Sequence, residues 1–264
     1  SRLYQAFDNN QSVDGPVAQF QDTKWLRSAN TVGINVRTIG SFWNIVPYAM
    51  TLPNAFNAIH ILPIWEPGVV ASLYGPSSWN INPEFFSPIL QSYFPGLDTV
   101  EKQLKVVINI LHLMEKSVGM DVVPHTDRYS EMVLANPAFF EWLQRDELRI
   151  LQQGNELYRT VERIIYTHLL NNSPGQSLPE QETFFHQLSE NERLNILFGE
   201  KYDYVGRLYR RKQLVQLLYE QGYETVPATM GPPYRGIEPD PRPEAQVTDE
   251  EGRVWRDYRI TNPQ

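Results

Sequence analysis

Residues 58–125 place a long amphipathic helical repeat between two short apolar runs, an order that few folds accommodate. The first run is Ala58-Ile-His-Ile-Leu-Pro-Ile-Trp65. It is branched and nearly continuous, as a buried strand reads. The helix is expected to begin at Asp98, because Asp98-Thr-Val-Glu101 fits a capping box. Val100, Leu104, Val107, Leu111, Met114 and Val118 recur at steps of three and four and form one apolar stripe. Gly119 supplies the expected C-terminal stop. Met120 to His125 reads as the next strand, with Asp121 set among Met120, Val122 and Val123. Strand, loop, helix, strand is a crossover unit, expected to be right-handed. It is the wiring of a parallel α/β barrel, in which strand tips build the active site. His125 stands at such a tip.

Composition narrows the function classes. The formal net charge of −8 lacks the basic excess that a nucleic-acid surface needs. With no cysteine, disulfides and thiolate metal sites are excluded. No His-Glu-Xaa-Xaa-His or tight His/Asp cluster occurs, so neither a metal nor a cofactor is expected. No stretch of about 18 apolar residues predicts a membrane span, and residues 1–30 do not resemble a signal peptide. A cytoplasmic location is the expectation. The chain starts at Ser1 rather than Met, as a trimmed or internal segment would.

Three regions are expected. Residues 1–130 carry the first strands of the barrel. Between Thr31 and Pro95 only Arg37, Glu66 and Glu84 are charged, so this stretch is buried or lines a cleft. Thr31 to Gly40 alternates as a strand does, and a short helix fits between Ile45 and Phe56, with Pro47 near its start. Glu66 to Pro95 reads as a long ordered loop, a kind that is usually functional. Residues 131–222 read as a helical segment, with helices at about 137–153, 156–170, 180–199 and 201–221 and no further buried strand. Asn136-Pro137 fits a cap followed by a first-turn proline. Residues 223–264 read as an extended, proline-rich segment, with a hairpin over Gln246 to Trp255. Arg207, Arg210, Arg211 and Lys212 read as a solvated helix face. His60 reads as a satisfied strand histidine and His112 as surface or packing.

The two strands and the loop between them resemble the alpha-amylase family of glycoside hydrolases. Ile61-Leu62-Pro63-Ile64 matches the Leu-Xaa-Pro end of that family's second barrel strand. Tyr74, Trp79 and Asn82-Pro83 match the tyrosine, aromatic and Asn-Pro of the loop that follows, one residue closer in spacing. Asp121-Val122-Val123-Pro124-His125 matches the third strand, with proline where the family has asparagine. The resemblance covers roughly residues 31–130. It implies an α/β fold, the first part of a (β/α)8 barrel with a largely helical insertion after the third strand.

The resemblance also implies retaining chemistry on α-glucosidic bonds, which needs two carboxyl groups about 5 Å apart. In the family these come from later strands. No Gly-Xaa-Arg-Xaa-Asp strand occurs within the 264 residues, so no catalytic residue is assigned and the chain itself is expected to be inactive. On the resemblance, His125 donates to a glucose hydroxyl, Tyr74 stacks on the same sugar, Trp79 belongs to that subsite, and Asp121 holds neighbouring side chains. Glu66 is a cleft carboxylate or a solvated loop residue. The expected partner is an α-glucan or small α-glucoside, and uncovered strand edges would permit a homodimer. A non-catalytic amylase-like carbohydrate-binding or interaction domain stays open, as does an unrelated barrel enzyme.

Overall fold

The computed structural model describes residues 2–68, 72–123, 126–127, 130–146, 149–172, 177–226, 237–239, 246–248, 254–256 and 258–260. They fall into two units, one of residues 1–67 and 79–124, the other of residues 68–78 and 125–264.

The first unit is built on a parallel sheet, so the chain is a mixed α/β protein. Strands β1 (Thr31–Ile34), β2 (Ala58–Ile61) and β5 (Ser117–Met120) lie in chain order, each parallel to the next. Between β1 and β2 come the short helices α2 (Val36–Ile39) and α3 (Ile45–Thr51). Between β2 and β5 run strands β3 (Trp65–Pro67) and β4 (Pro76–Ile81), then helices α4 (Pro88–Tyr93) and α5 (Val100–Leu113). Ile59, Ile61, Phe42, Ile45, Val106, Val107 and Leu111 are buried. Phe42 meets Phe85 edge-on at 5.4 Å.

Two buried amides hold loops to α5. Gln103 accepts from Ser87 N and donates to the carbonyls of Ser87 and Leu97. Asn109 accepts from Val13 N and donates to Ala6 O, tying down the end of helix α1 (Arg2–Phe7). A buried amide satisfied this fully fixes the chain it holds.

Several expected boundaries move. The strand from Thr31 stops at Ile34, because the Asn35 side chain accepts from Arg37 N and turns the chain into α2. The stretch after Glu66 is not one loop; it contains β4 and α4. Helix α5 starts one residue later than expected. Its cap is Thr99, accepting from Lys102 N, while Asp98 pairs with the Lys102 ammonium.

The helix stop is also not Gly119. Lys116 N bonds Leu111 O and Glu115 N bonds His112 O, the pairing of a Schellman ending, with Glu115 at φ 59. Glycine usually holds that left-handed position, so the sequence gives no signal for it. The third parallel strand therefore begins at Ser117 rather than Met120. Asp121 and Val122 lie past its tip, and Pro124 and His125 fall outside the described residues.

The second unit carries an antiparallel sheet in the order β8-β6-β7-β12-β9. Its strands are β6 (Glu141–Asp146), β7 (Arg149–Gly154), β8 (Tyr223–Val226), β9 (Ile237–Pro239) and β12 (Tyr258–Ile260). The expected helix over 137–153 is thus a 3-10 turn (Pro137–Phe139) followed by a β6–β7 hairpin. Its Glu, Leu, Gln and Arg residues favour helices, but tertiary pairing overrides that preference. Trp142 and Leu143 are buried, Trp142 donates to Pro137 O, and β6 also pairs with the sequence-distant β8. Buried strand residues therefore do occur within 131–222.

Helices α6 (Glu131–Ala135), α7 (Tyr158–Asn172), α8 (Gln181–His186), α9 (Glu190–Phe198) and α10 (Tyr204–Glu220) complete this unit. Trp142, Val161, Ile165, Phe184, Phe198 and Leu214 belong to its apolar core. The 180–199 helix is broken at Gln187-Leu188, and Ser189 with Glu192 forms a capping box that restarts it. The expected hairpin is present as β10 (Gln246–Thr248) paired antiparallel with β11 (Val254–Arg256). Among the described residues, no helix is long and apolar enough to cross a membrane.

Candidate functional site

A His60–Asp121 pair lies at the C-terminal edge of the parallel sheet. His60 lies on β2 in register with Gly119 of β5. Side chains two apart on a strand share a face, so the His60 ring leans over Gly119 toward the residue two further on. There His60 Nε2 meets Asp121 Oδ1 at 2.7 Å.

Gly119 leaves room for the ring. A Cβ at this position would sit 3.1 Å from His60 Nδ1, closer than an unstrained contact. Asp121 is fixed from the other side by its backbone N–H, which donates to Ile61 O at 3.0 Å. Both side chains stay partly open, 37% exposed for His60 and 29% for Asp121. An ionised carboxylate only accepts hydrogen bonds. The His60 Nε2–H therefore donates to it and orients the ring.

The second feature is an aromatic pair on the segment leaving β2. Trp65 and Trp79 meet edge-on at 5.3 Å. Trp79 is 40% exposed, while the Trp65 indole nitrogen is buried without a hydrogen-bond partner among the described residues. An unmet buried donor is uncommon and often marks a place for a water or ligand oxygen. Asn82 N donates to Ile64 O and closes this segment back on itself.

Because β2 and β5 are adjacent and parallel, the Trp65 segment and Asp121 leave the sheet by the same edge. The structure thus brings His60 and Asp121 together and sets Trp79 beside Trp65. Tyr74, in the second unit, is 49% exposed. His125 lies outside the described residues. Glu66 is partly buried in β3.

Among the other residues singled out in the sequence, His112 is a packing residue whose Nδ1 lies 2.7 Å from Val13 O. The basic run on α10 is not a uniformly solvated face. Arg207 is 5% exposed, pairs with the buried Glu131 and donates to Gly199 O at 2.7 Å. Arg210 bonds Asp203 and holds that carboxyl below its usual range. Among the described residues, no group of three or more His, Cys, Asp or Glu is placed to hold a metal ion.

From the sequence His60 reads as a satisfied buried strand histidine with no partner named; it is instead part-exposed, and its partner is Asp121. Its pairing with Asp121 depends on a register that places Gly119 opposite it, and register is not written in either segment alone. No known protein-family model matches the chain, and no curated protein matches it.

Proposed function

We propose that this chain carries the first part of an alpha-amylase-type (β/α)8 barrel and contributes the substrate-binding edge of a retaining α-glucoside hydrolase or transglycosylase. One observation carries the reading. A hydrogen-bonded His–Asp pair and a part-exposed tryptophan pair leave neighbouring parallel strands by the same edge. In parallel α/β folds that edge is where ligands bind.

The chemistry suits a sugar. A pyranose presents hydroxyl donors around a ring with apolar C–H faces. The Asp121 carboxylate accepts from hydroxyls, and its bond to His60 keeps it oriented. The indole of Trp79 offers a flat apolar face. On this reading, these residues bind and orient the sugar, and bond cleavage belongs to carboxylates outside residues 58–121.

Calorimetry with maltotriose and cellotriose tests the proposal. Maltotriose should bind in preference to cellotriose. Asp121→Asn and Trp79→Ala should each weaken maltotriose binding about tenfold or more, the scale of one lost charge-assisted bond or stacked ring. Binding that is absent, that ignores both substitutions or that treats the two sugars alike would overturn it.

A further inference from the structure

The second unit contains an open depression of about 530 Å³ between α7, the end of α10 and the start of β8. Thr160, Arg163, Thr167 and Asn171 recur on α7 at steps of three and four, so they share one helix face. With His168 they line the depression. Its wall also includes Ile164, Leu217 and Tyr223, and no carboxylate is among the described lining residues.

Three observations give the depression a chemical preference. First, the Arg163 side chain is exposed and makes no hydrogen bond or ion pair among the described residues. Elsewhere in the unit, Arg145, Arg193, Arg207 and Arg210 all hold acceptors. Second, Asn172 Nδ2 donates to His168 O at 2.8 Å and lies 3.2 Å from His168 Nδ1. That amide makes Nδ1 the acceptor and leaves the Nε2–H as a donor. Burial also holds the imidazole below its usual pKa, which favours this neutral form. Third, the hydroxyls and amide on the same face are further donors. Among the described residues, the lining is therefore rich in donors, with one permanently charged cation, an apolar wall and no competing acid.

We propose that this depression binds a small organic oxyanion, a carboxylate or phosphate ester, with Arg163 gripping the anionic head and Ile164, Leu217 and Tyr223 contacting its carbon body. A guanidinium fork matches two oxygens of such a head, which an ammonium cannot do. The volume lies within the range of metabolite pockets. The site does not depend on the sheet-edge reading.

Isothermal titration of the 264-residue chain at low salt tests it, with glucose 1-phosphate, citrate, inorganic phosphate and methyl α-glucoside as probes. Glucose 1-phosphate or citrate should bind with a dissociation constant below about 1 mM, and methyl glucoside should not bind at this depression. Arg163→Met should weaken the organic anion about ten- to hundredfold, and Arg163→Lys should recover only part of that loss. Arg163 is exposed, so unchanged circular dichroism is expected in both variants. Trp79→Ala should leave anion binding intact, which separates this site from the sheet edge.

The proposal is overturned if neither organic anion binds saturably, or if Arg163→Met binds as the parent does. Inorganic phosphate binding as tightly as the organic probes would remove the role given to the apolar wall.

Discussion

The buried Glu131–Arg207 pair should behave as an interaction that is costly to break but dispensable as a pair. Both side chains are almost fully buried, 2% and 6% exposed. Arg207 also donates to Gly199 O, so the pair ties α6 to α10 and to the turn after α9. Glu131→Met keeps similar volume but strands the guanidinium in the interior. Stranding one partner of a buried pair costs about 3–5 kcal/mol. A loss of 1 kcal/mol lowers Tm by about 2–4 °C in a unit of this size. The single substitution should therefore lower Tm by roughly 6–20 °C.

The double variant Glu131→Met/Arg207→Met removes both buried charges of the pair. It loses the bond to Gly199 O, worth about 1 kcal/mol, and should otherwise recover most of the loss. Urea denaturation of the parent, both single variants and the double variant gives the coupling directly. A single variant within about 1 kcal/mol of the parent, or a double variant as unstable as the two losses summed, would refute the reasoning.

Gly119→Ala should push the His60 ring aside by a few tenths of an ångström and lengthen its bond to Asp121, because the new Cβ would meet Nδ1 at 3.1 Å; a His60 side-chain NMR signature identical to the parent's would contradict this. Glu115→Gly should stabilise the first unit by about 0.5–1 kcal/mol, since a non-glycine residue holds the left-handed helix ending at φ 59; urea midpoints check it. Burial raises the Glu162 carboxyl above its usual pKa, although His186 opposes the shift. A raised folded-state value gives stability that is full below the ordinary carboxyl range and lost as pH rises through the raised pKa. Relative to Glu162→Gln, the parent should therefore lose stability as pH climbs from acid toward neutral, and pH-resolved denaturation in which the gap stays flat would contradict it.

What could be read from the sequence follows where local signals and packing agree. The apolar run at Ala58–Ile61 and the stripe over Val100–Leu111 announced themselves, because burial demands the same residues that propensity favours. Glu141–Gly154 did not, since its helix-forming residues are drawn into a sheet by partners some eighty residues away in β8. The strand after α5 starts three residues earlier than its sequence suggests, because a glutamate, not a glycine, ends the helix. Asp121 is expected inside the third strand, with His125 at its tip; because β5 ends at Met120, Asp121 itself lies just past the tip. Its pairing with His60 was not legible, because a histidine inside an apolar run looks the same whether its neighbour is an aspartate or its own backbone. The depression on α7 needed the fold as well, since Arg163 and Leu217 come from helices whose packing the sequence does not specify.

The most direct test of the central claim is a maltotriose titration followed by nitrogen-edited NMR. The account predicts shifts at the indole N–H of Trp65 and Trp79 and at the backbone amides of His60 and Asp121, all lost together in Asp121→Asn. Saturating sugar that leaves these signals unmoved, or moves only residues of α7 and α10, would contradict it.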